Sequence, residues 1–503
     1  MPAMPGRPAR GRWWLATLVA AAALAVAATQ SAYAADTSVV RVSDDPFTNA
    51  ASQHRSEVEP DTFSFGATWV SAFQVGRIFD GGASDIGWAT SIDAGQHFAH
   101  GFLTGVTPFT SPAGAYDRAS DASVAFDLRH HTWLISYLAI HNLPNGRTGV
   151  VDVLASRSFD GVHWGQPVPV ATLNTFLDKN WTVCDNSVIS PHFGSCYTEF
   201  DIASQRDLEQ MTTSTDGGQT WGAPLATGDS AHGLGGQPVV QPSGRVVVPF
   251  EGVGATRGER SFVSDDGGAS WGASVQISTI TARRSVLGAI RTSPLPTAEV
   301  DLLGRVYVAW QDCRFETACA NNDIVFSTSD DGTTWAPVQR IPIDAVGSNV
   351  DHIIPGLGVD PITFGDHARL ALTYYLLPAA DCTVATCQLE VGFVTSRNGG
   401  ASWSAPQLLA GPMSLSWLPA TSQGVMVADY ISTSFVAGIH ARPAFEVASA
   451  PAAPGAFDQA TFTAREDVHG GDVPTVNDTV VLFPGSGNPV VDEGGDDDEG
   501  DGG

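Results

Sequence analysis

Acidic and cationic side chains at the ends of strand-like segments are the residues of this chain best suited to chemistry. Asp61, Asp178 and Glu251 stand there, as do Glu59, Asp121, Asp201, Asp312 and Asp429. Two carboxyl groups facing one glycosidic bond can cleave it: one protonates the leaving oxygen while the other attacks or activates water. Tyr430 beside Asp429, or the pair Tyr374-Tyr375, could add a hydroxyl nucleophile. Arg77, Arg147, Arg206, Arg257 and Arg314 fall in five successive intervals between predicted second and third strands. Arg118 and Arg291 come just before predicted first strands. Guanidinium groups gathered at one opening would hold a carboxylate or sulfate by charge-assisted hydrogen bonds. The same arginines could instead pair with neighbours such as Asp80, Asp207 or Glu259. Lys179 is the one lysine among 25 Lys+Arg, set in Asp178-Lys179-Asn180-Trp181. Its compact ammonium would either bind a ligand oxygen or pair with Asp178. The catalytic candidates are thus Asp61, Asp178, Glu251 and Tyr430. The substrate-binding candidates are Arg77, Arg118, Lys179, Arg257, Arg291 and Arg314.

Other chemistries lack their motifs. There is no HExxH, no EF-hand loop and no phosphate-binding glycine loop after a strand, so no cofactor and no catalytic metal are expected. An acidic loop such as Asn321-Asn322-Asp323 could hold a structural calcium ion. Gly268-Ala269-Ser270-Trp271-Gly272 matches the G-x-S-x-G nucleophile elbow but lies in a hairpin, not at the strand-to-helix turn that chemistry needs.

The elements that would position these residues announce themselves as a repeat. Ser or Thr is followed two residues on by Asp, two further by Gly, and three beyond that by an aromatic. Full copies are Ser91-Asp93-Gly95-Phe98, Ser214-Asp216-Gly218-Trp221, Ser264-Asp266-Gly268-Trp271 and Thr328-Asp330-Gly332-Trp335. Two copies are degenerate: one has Asn398 for Asp, and the other, before Gly161 and Trp164, shifts its acid to Asp160. Such a unit builds a tight hairpin. Ser and Asp bond the loop backbone, Gly takes positive φ, and the aromatic plugs the turn. The aromatics at 98, 164, 221, 271, 335 and 403 recur every 50 to 68 residues, enough for one four-stranded sheet per period.

These copies resemble the Asp-box (BNR) repeats of the sialidase superfamily over roughly residues 57 to 410. The resemblance implies an all-β fold, a β-propeller whose box joins the third and fourth strands of each four-stranded blade. Ligands would then meet the opposite face, around the channel. It also implies two kinds of activity: a sialidase-like glycoside hydrolase, or a non-catalytic propeller that binds a glycan or a protein. Sialidases use three arginines, a Tyr-Glu pair and an Asp. Their first arginine usually opens the first blade in an R-I-P-like motif, whereas here Glu59-Pro60-Asp61-Thr62 stands there and Arg77-Ile78-Phe79 comes later.

Strand-like alternation places Thr68-Gln74 and Asp85-Thr90 in the first blade, and Arg305-Trp310 and Asp323-Thr328 in a later one. Gly424-Ile431, Ser434-His440 and Ala444-Ala448 read as three last strands without a box. Val39-Val42 reads as an orphan fourth strand that would complete them. Seven blades, with both termini sharing the last, are therefore expected; six is the alternative.

Residues 1–34 read as a signal peptide: Arg7, Arg10 and Arg12, an apolar core over Trp13-Ala28, and small residues up to Ala34. The propeller is expected over 35–465 and an appendage with a disordered acidic tail over 466–503. No later stretch is long and apolar enough to span a membrane. With 53 Asp+Glu against 25 Lys+Arg, nucleic acid is an unsuitable partner. A secreted monomer with a glycan or other anionic extracellular ligand is expected. Six cysteines fall as close pairs, Cys184/Cys196, Cys313/Cys319 and Cys382/Cys387. In an oxidising compartment nearest-neighbour disulfides are the simplest of the 15 pairings.

Overall fold

The computed structural model describes Pro2 and residues 39–467, apart from 255–256, 284–288, 438–439 and 454. The expected leader and the acidic tail lie outside the described residues. By its contacts the chain divides into residues 1–471 and 472–503, and everything below concerns the first of these units. No helix among the described residues is long and apolar enough to cross a membrane.

The described residues form antiparallel strands joined by turns. Seven successive sets open with the inner strands Ser52–Phe65, Arg118–Asp127, Leu177–Cys184, Gly233–Leu234 with Val239–Val240, Thr297–Val300, Asp351–Val359 and Ser432–Val436. The seventh, first and second sets run on through single pairings, Ser56 with Gln459 and Ala83 with Ala119, as one 13-stranded sheet. The third to sixth sets are separate sheets. The predicted second and third strands are found as Thr68–Ile78, Ala83–Ser91, Val306–Asp312 and Asp323–Ser329. Val306–Asp312 is buried along its whole length because neighbouring sets cover both its faces. This is why its sequence runs apolar rather than alternating.

The core is divided among the interfaces between sets. Trp88 and Val70 meet Val124 and Trp133 between the first and second sets. Further apolar clusters join the second to the third, third to fourth, fourth to fifth, fifth to sixth and sixth to seventh. Val42, Val436 and Ala444 then pack on Trp69 and Phe73, which brings the seventh set back against the first. Hydrogen bonds between inner strands follow the same circuit. Val124 N–H donates to Asp61 at 2.7 Å, Thr182 N–H to Ser123 Oγ at 3.0 Å, and Leu357 N–H to Thr297 Oγ1 at 3.2 Å. Thr433 Oγ1 donates to Gly356 O at 2.9 Å, and Thr62 lies 3.0 Å from Ser432.

The N-terminal strand closes the seventh set as expected: Val40 pairs with Thr463 and Arg41 with Phe462. The three strands before it differ from the sequence reading. They are Ser432–Val436, His440–Ala448 and Gln459–Thr463, so the third was missed. Gly424–Val425 belongs instead to a small hairpin with Ala420–Thr421. Residues 426–431 pair with no strand because they run past the centre to deliver Asp429 and Tyr430.

The hairpin boxes work as their residues require. Ser91 Oγ donates to Asp93 at 2.8 Å and accepts from Gly95 N–H at 2.7 Å, while Asp93 accepts from the turn N–H of Gln96 and His97. The copy assigned to Thr328 and Asp330 is built one residue later, on Ser329 and Asp331. That is the same shortened box as Ser158-Asp160-Gly161, so the latter is a second form rather than a degenerate copy. Asn398 replaces Asp without loss, its Oδ1 accepting from Ser402 N–H at 2.9 Å. Each box glycine presses on the preceding set: Gly161 on Val70, Gly218 on Leu134, Gly332 on Val247, and Gly95 on Arg442 of the seventh set.

All three disulfides pair nearest neighbours, Cys184–Cys196, Cys313–Cys319 and Cys382–Cys387. Cys184 and Cys196 face each other across the first two strands of the third set.

Closure at the N-terminus has one polar link that can be cut. Ser43 Oγ donates to Glu57 on the first set and accepts from Thr461 N–H at 2.8 Å on the seventh. Ser43→Ala removes both of these bonds, leaving only Thr461 N–H to Glu57 at 3.1 Å, and should cost about 1–3 kcal/mol. Calorimetric melting checks this, and an unchanged melting temperature would mean that the N-terminal strand does not hold the closure.

Candidate functional site

Four inner strands share one distortion. Their register slips at Val58/Asp61, Ser120/Ser123, Asp178/Asn180 and Ile353/Gly356. Each slip carries a left-handed residue: Glu59 (φ 59°), Asp121 (φ 46°), Lys179 (φ 45°) and Ile354 (φ 51°). Such a conformation costs a non-glycine residue roughly 1–2 kcal/mol. A bulge of this kind re-aims a side chain that regular pleating would turn to a neighbouring set. Three of the four re-aimed residues are charged.

They converge. The Lys179 ammonium lies 3.3 Å from Asp429, 3.8 Å from Glu59 and 3.8 Å from Asp121. Its side chain is only 10% exposed. Lys179 thus does not pair with Asp178 through its ammonium; Asp178 accepts instead from the Lys179 backbone N–H at 3.0 Å. Burial opposes the charge on Lys179, but Asp121, Asp429 and Glu59 together outweigh it and hold the ammonium pKa above its ordinary value. Arg291 grips both oxygens of Asp429, its Nε at 2.8 Å. Burial would raise the Asp429 carboxyl, yet Arg291 and then Lys179 hold it well below the usual range. Arg77 is buried alongside, donating to the carbonyls of Ile78 and Gly82. Tyr430 stacks edge-on against Trp181 at 5.2 Å, lies 5.4 Å beneath the ammonium, and donates to Ala122 O at 3.1 Å. Burial, then the Glu59 and Asp121 charges, keep its hydroxyl a neutral phenol.

A cleft of about 140 Å³ opens beside this cluster, walled by Glu59, Asp121, Asp178, Arg77 and Arg291. It lies where inner strands begin and second-to-third-strand connections end, the end of each set away from its box. Burial, then Asp121, lift the Glu59 carboxyl well above its ordinary value. The same two causes raise Asp178 to about 6 against the pull of Lys179. Of the four carboxyl residues in the cleft wall, Glu59 and Asp121 are buried, Asp178 is partly exposed, and Asp80 is exposed at the rim.

The other candidates lie apart from this cluster. Asp61 is spent on Val124 N–H, and burial raises it to about 7. Arg118 pairs with Asp80 at 2.6 Å across the rim of the cleft. Arg314 pairs with Asp312 in the fifth set. Glu251 lies in the fourth set, raised by burial to about 7 against the opposing charge of Arg257. Two residues escaped the sequence reading. Glu199 and Glu209 are fully buried in the third set, the one that carries Lys179, and burial followed by the charge of Glu209 drives the Glu199 carboxyl well above its ordinary value. The spacing of Glu199 and Asp201 was the available signal, since alternate residues of one strand share a face.

Residues 145–355 match the BNR repeat-like domain model, so this stretch carries BNR-type repeats, in agreement with the hairpin boxes. No curated protein matches the chain. Solved structures similar to it include a protein of unknown function from Dyadobacter fermentans, 14% identical over 72% of this chain and 99% of that one, with TM-score 0.46. A Hadza microbial sialidase is 16% identical over 71% and 66% of the two chains, with TM-score 0.42. A Trypanosoma rangeli sialidase in complex with sialic acid is 13% identical over 73% and 60%, with TM-score 0.45. No activity follows from likenesses of this size.

The buried acids have a consequence for stability. Glu57, Asp61, Asp85 and Glu251 sit near pKa 7, Glu209 near 8 and Asp178 near 6, with burial the largest cause in each case. Unfolded carboxyls titrate near 4. Between about pH 4 and 8 the folded chain therefore binds more protons, and its stability falls as pH rises. The melting temperature should be higher at pH 5 than at pH 8, by at least about 5 °C. A melting temperature that is flat or rises over this range contradicts the assignment.

Proposed function

We propose that the seven sets are the blades of one closed propeller, and that the chain is a secreted glycoside hydrolase acting on an extracellular glycan at the cleft beside Lys179. The closed circuit of interfaces supports seven blades over six. Three disulfides suit an oxidising compartment. The observation that carries the hydrolase reading is the cleft wall, where carboxyls with different proton affinities face one space. Asp178, near pKa 6 and partly exposed, is the general acid that protonates the leaving oxygen. Asp121, ion-paired with Lys179, is the carboxylate that attacks or activates water. A general acid near pKa 6 can deliver its proton near neutral pH. Lys179 and Arg291 hold the charge pattern, and Tyr430 orders the wall.

Sialosides are less well suited than neutral sugars. Lys179, Arg291 and Arg118 already spend their charge on Asp429, Asp121, Glu59 and Asp80, which leaves little for a substrate carboxylate. That spending, with a cleft below the usual 300–1,000 Å³ of ligand pockets, also favours the second reading, a non-catalytic glycan-binding propeller.

A panel of 4-methylumbelliferyl glycosides, neutral and sialylated, separates the two. Turnover that falls by about 10²–10⁴ in Asp178→Asn, with melting preserved, supports the hydrolase. Absence of turnover across the panel, with retention of the chain on a glycan array, supports the binding propeller.

A further inference from the structure

A second polar centre lies between the fifth and sixth sets. Asp323 begins the third strand of the fifth set, Arg340 ends its fourth, Asp344 follows in the connection, and His352 is the second residue of the inner strand Asp351–Val359. Arg340 binds one oxygen of each carboxylate, Asp323 Oδ1 at 2.7 Å and Asp344 Oδ1 at 2.5 Å. The second oxygens are left facing His352. Asp323 Oδ2 is buried without a hydrogen-bond partner, and so is His352 Nε2. His352 Nδ1 lies 3.3 Å from Asn322 O. A carbonyl only accepts, so Nδ1 carries the ring proton and a neutral ring presents a lone pair at Nε2. That lone pair stands 3.7 Å from Asp344 Oδ2, whose other contact is Ser348 Oγ at 2.5 Å. Lone pairs facing one another in a dry interior repel unless a cation stands between them.

We propose that Asp323, Asp344 and His352 bind a divalent transition-metal ion, zinc by its donor chemistry, that staples the fifth set to the sixth. Their three donor atoms lie within 4.8 Å of one another. Tetrahedral zinc with bonds of about 2.0–2.2 Å spaces its ligands roughly 3.3 Å apart, so small side-chain adjustments complete the site. One imidazole with two carboxylates suits zinc and its neighbours better than calcium, which takes six to eight oxygens. Arg340 does not compete: it occupies only the outer oxygens and fixes both carboxylates. Of the loop considered for calcium, Asn322 is consumed by Asp351 and Arg283, while Asp323 keeps a spare oxygen.

The test uses the untagged full chain, stripped with a chelator and dialysed. Titration calorimetry with Zn²⁺ should give one site per chain, with a rise in melting temperature on addition. Co²⁺ should give the visible absorption of a tetrahedral N/O site. His352→Gln and Asp323→Asn should each remove binding by at least tenfold. If a variant fails to fold, the wild-type titration still decides. An imidazolium–Asp344 ion pair predicts no zinc response in wild type, and that result, or equal binding by both folded variants, overturns the proposal.

Discussion

A single ammonium among three buried carboxylates is the interaction on which the centre of this protein depends. Glu59 and Asp121 come from the first and second sets and Asp429 from the segment that leads into the seventh, and each would be costly to bury charged without a partner. Lys179 answers all three at once, and Arg291 takes a further share of Asp429. Arginine would serve poorly here, because a planar fork favours one or two coplanar carboxylates, whereas an ammonium offers three divergent donors. That accounts for one lysine persisting in a chain otherwise supplied with arginine.

The frame around this point is built to keep the inner strands in place. Apolar interfaces between successive sets put the core around the centre rather than in it. Hairpin boxes at the far end press each set onto the one before. Because the boxes and interfaces supply the stability, the inner strands can tolerate left-handed bulges at Glu59, Asp121 and Lys179. At these three positions strain accompanies side chains turned toward a common space, as functional sites in other folds store it.

The frame was far more legible in the sequence than the site. Ser, Asp, Gly and Trp at fixed spacing report a local hairpin, and local rules suffice to read them. The orphan strand Val39-Val42 was readable because the last set visibly lacked a partner. The shortened box at Ser329-Asp331 was misread by one residue because Thr328-Ser329-Asp330-Asp331 fits the pattern in two registers. The bulges could not be read: alternation assigns Glu59, Asp121 and Lys179 to faces that the register slips then reverse. Their convergence is a long-range fact, set by which inner strands become neighbours. Lys179 stood out by rarity alone, and the partner proposed from adjacency, Asp178, was not the one its ammonium meets.

The most direct test compares wild type with Lys179→Met by chemical denaturation at pH 7.5 and pH 5. Methionine keeps the apolar stem and removes the charge, leaving Glu59, Asp121 and Asp429 short of a partner. The variant should be about 3–5 kcal/mol less stable at pH 7.5. The gap should narrow at pH 5, where the carboxyls can take up protons instead. A variant as stable as wild type at pH 7.5, or a deficit of the same size at both pH values, would contradict the central place given to Lys179.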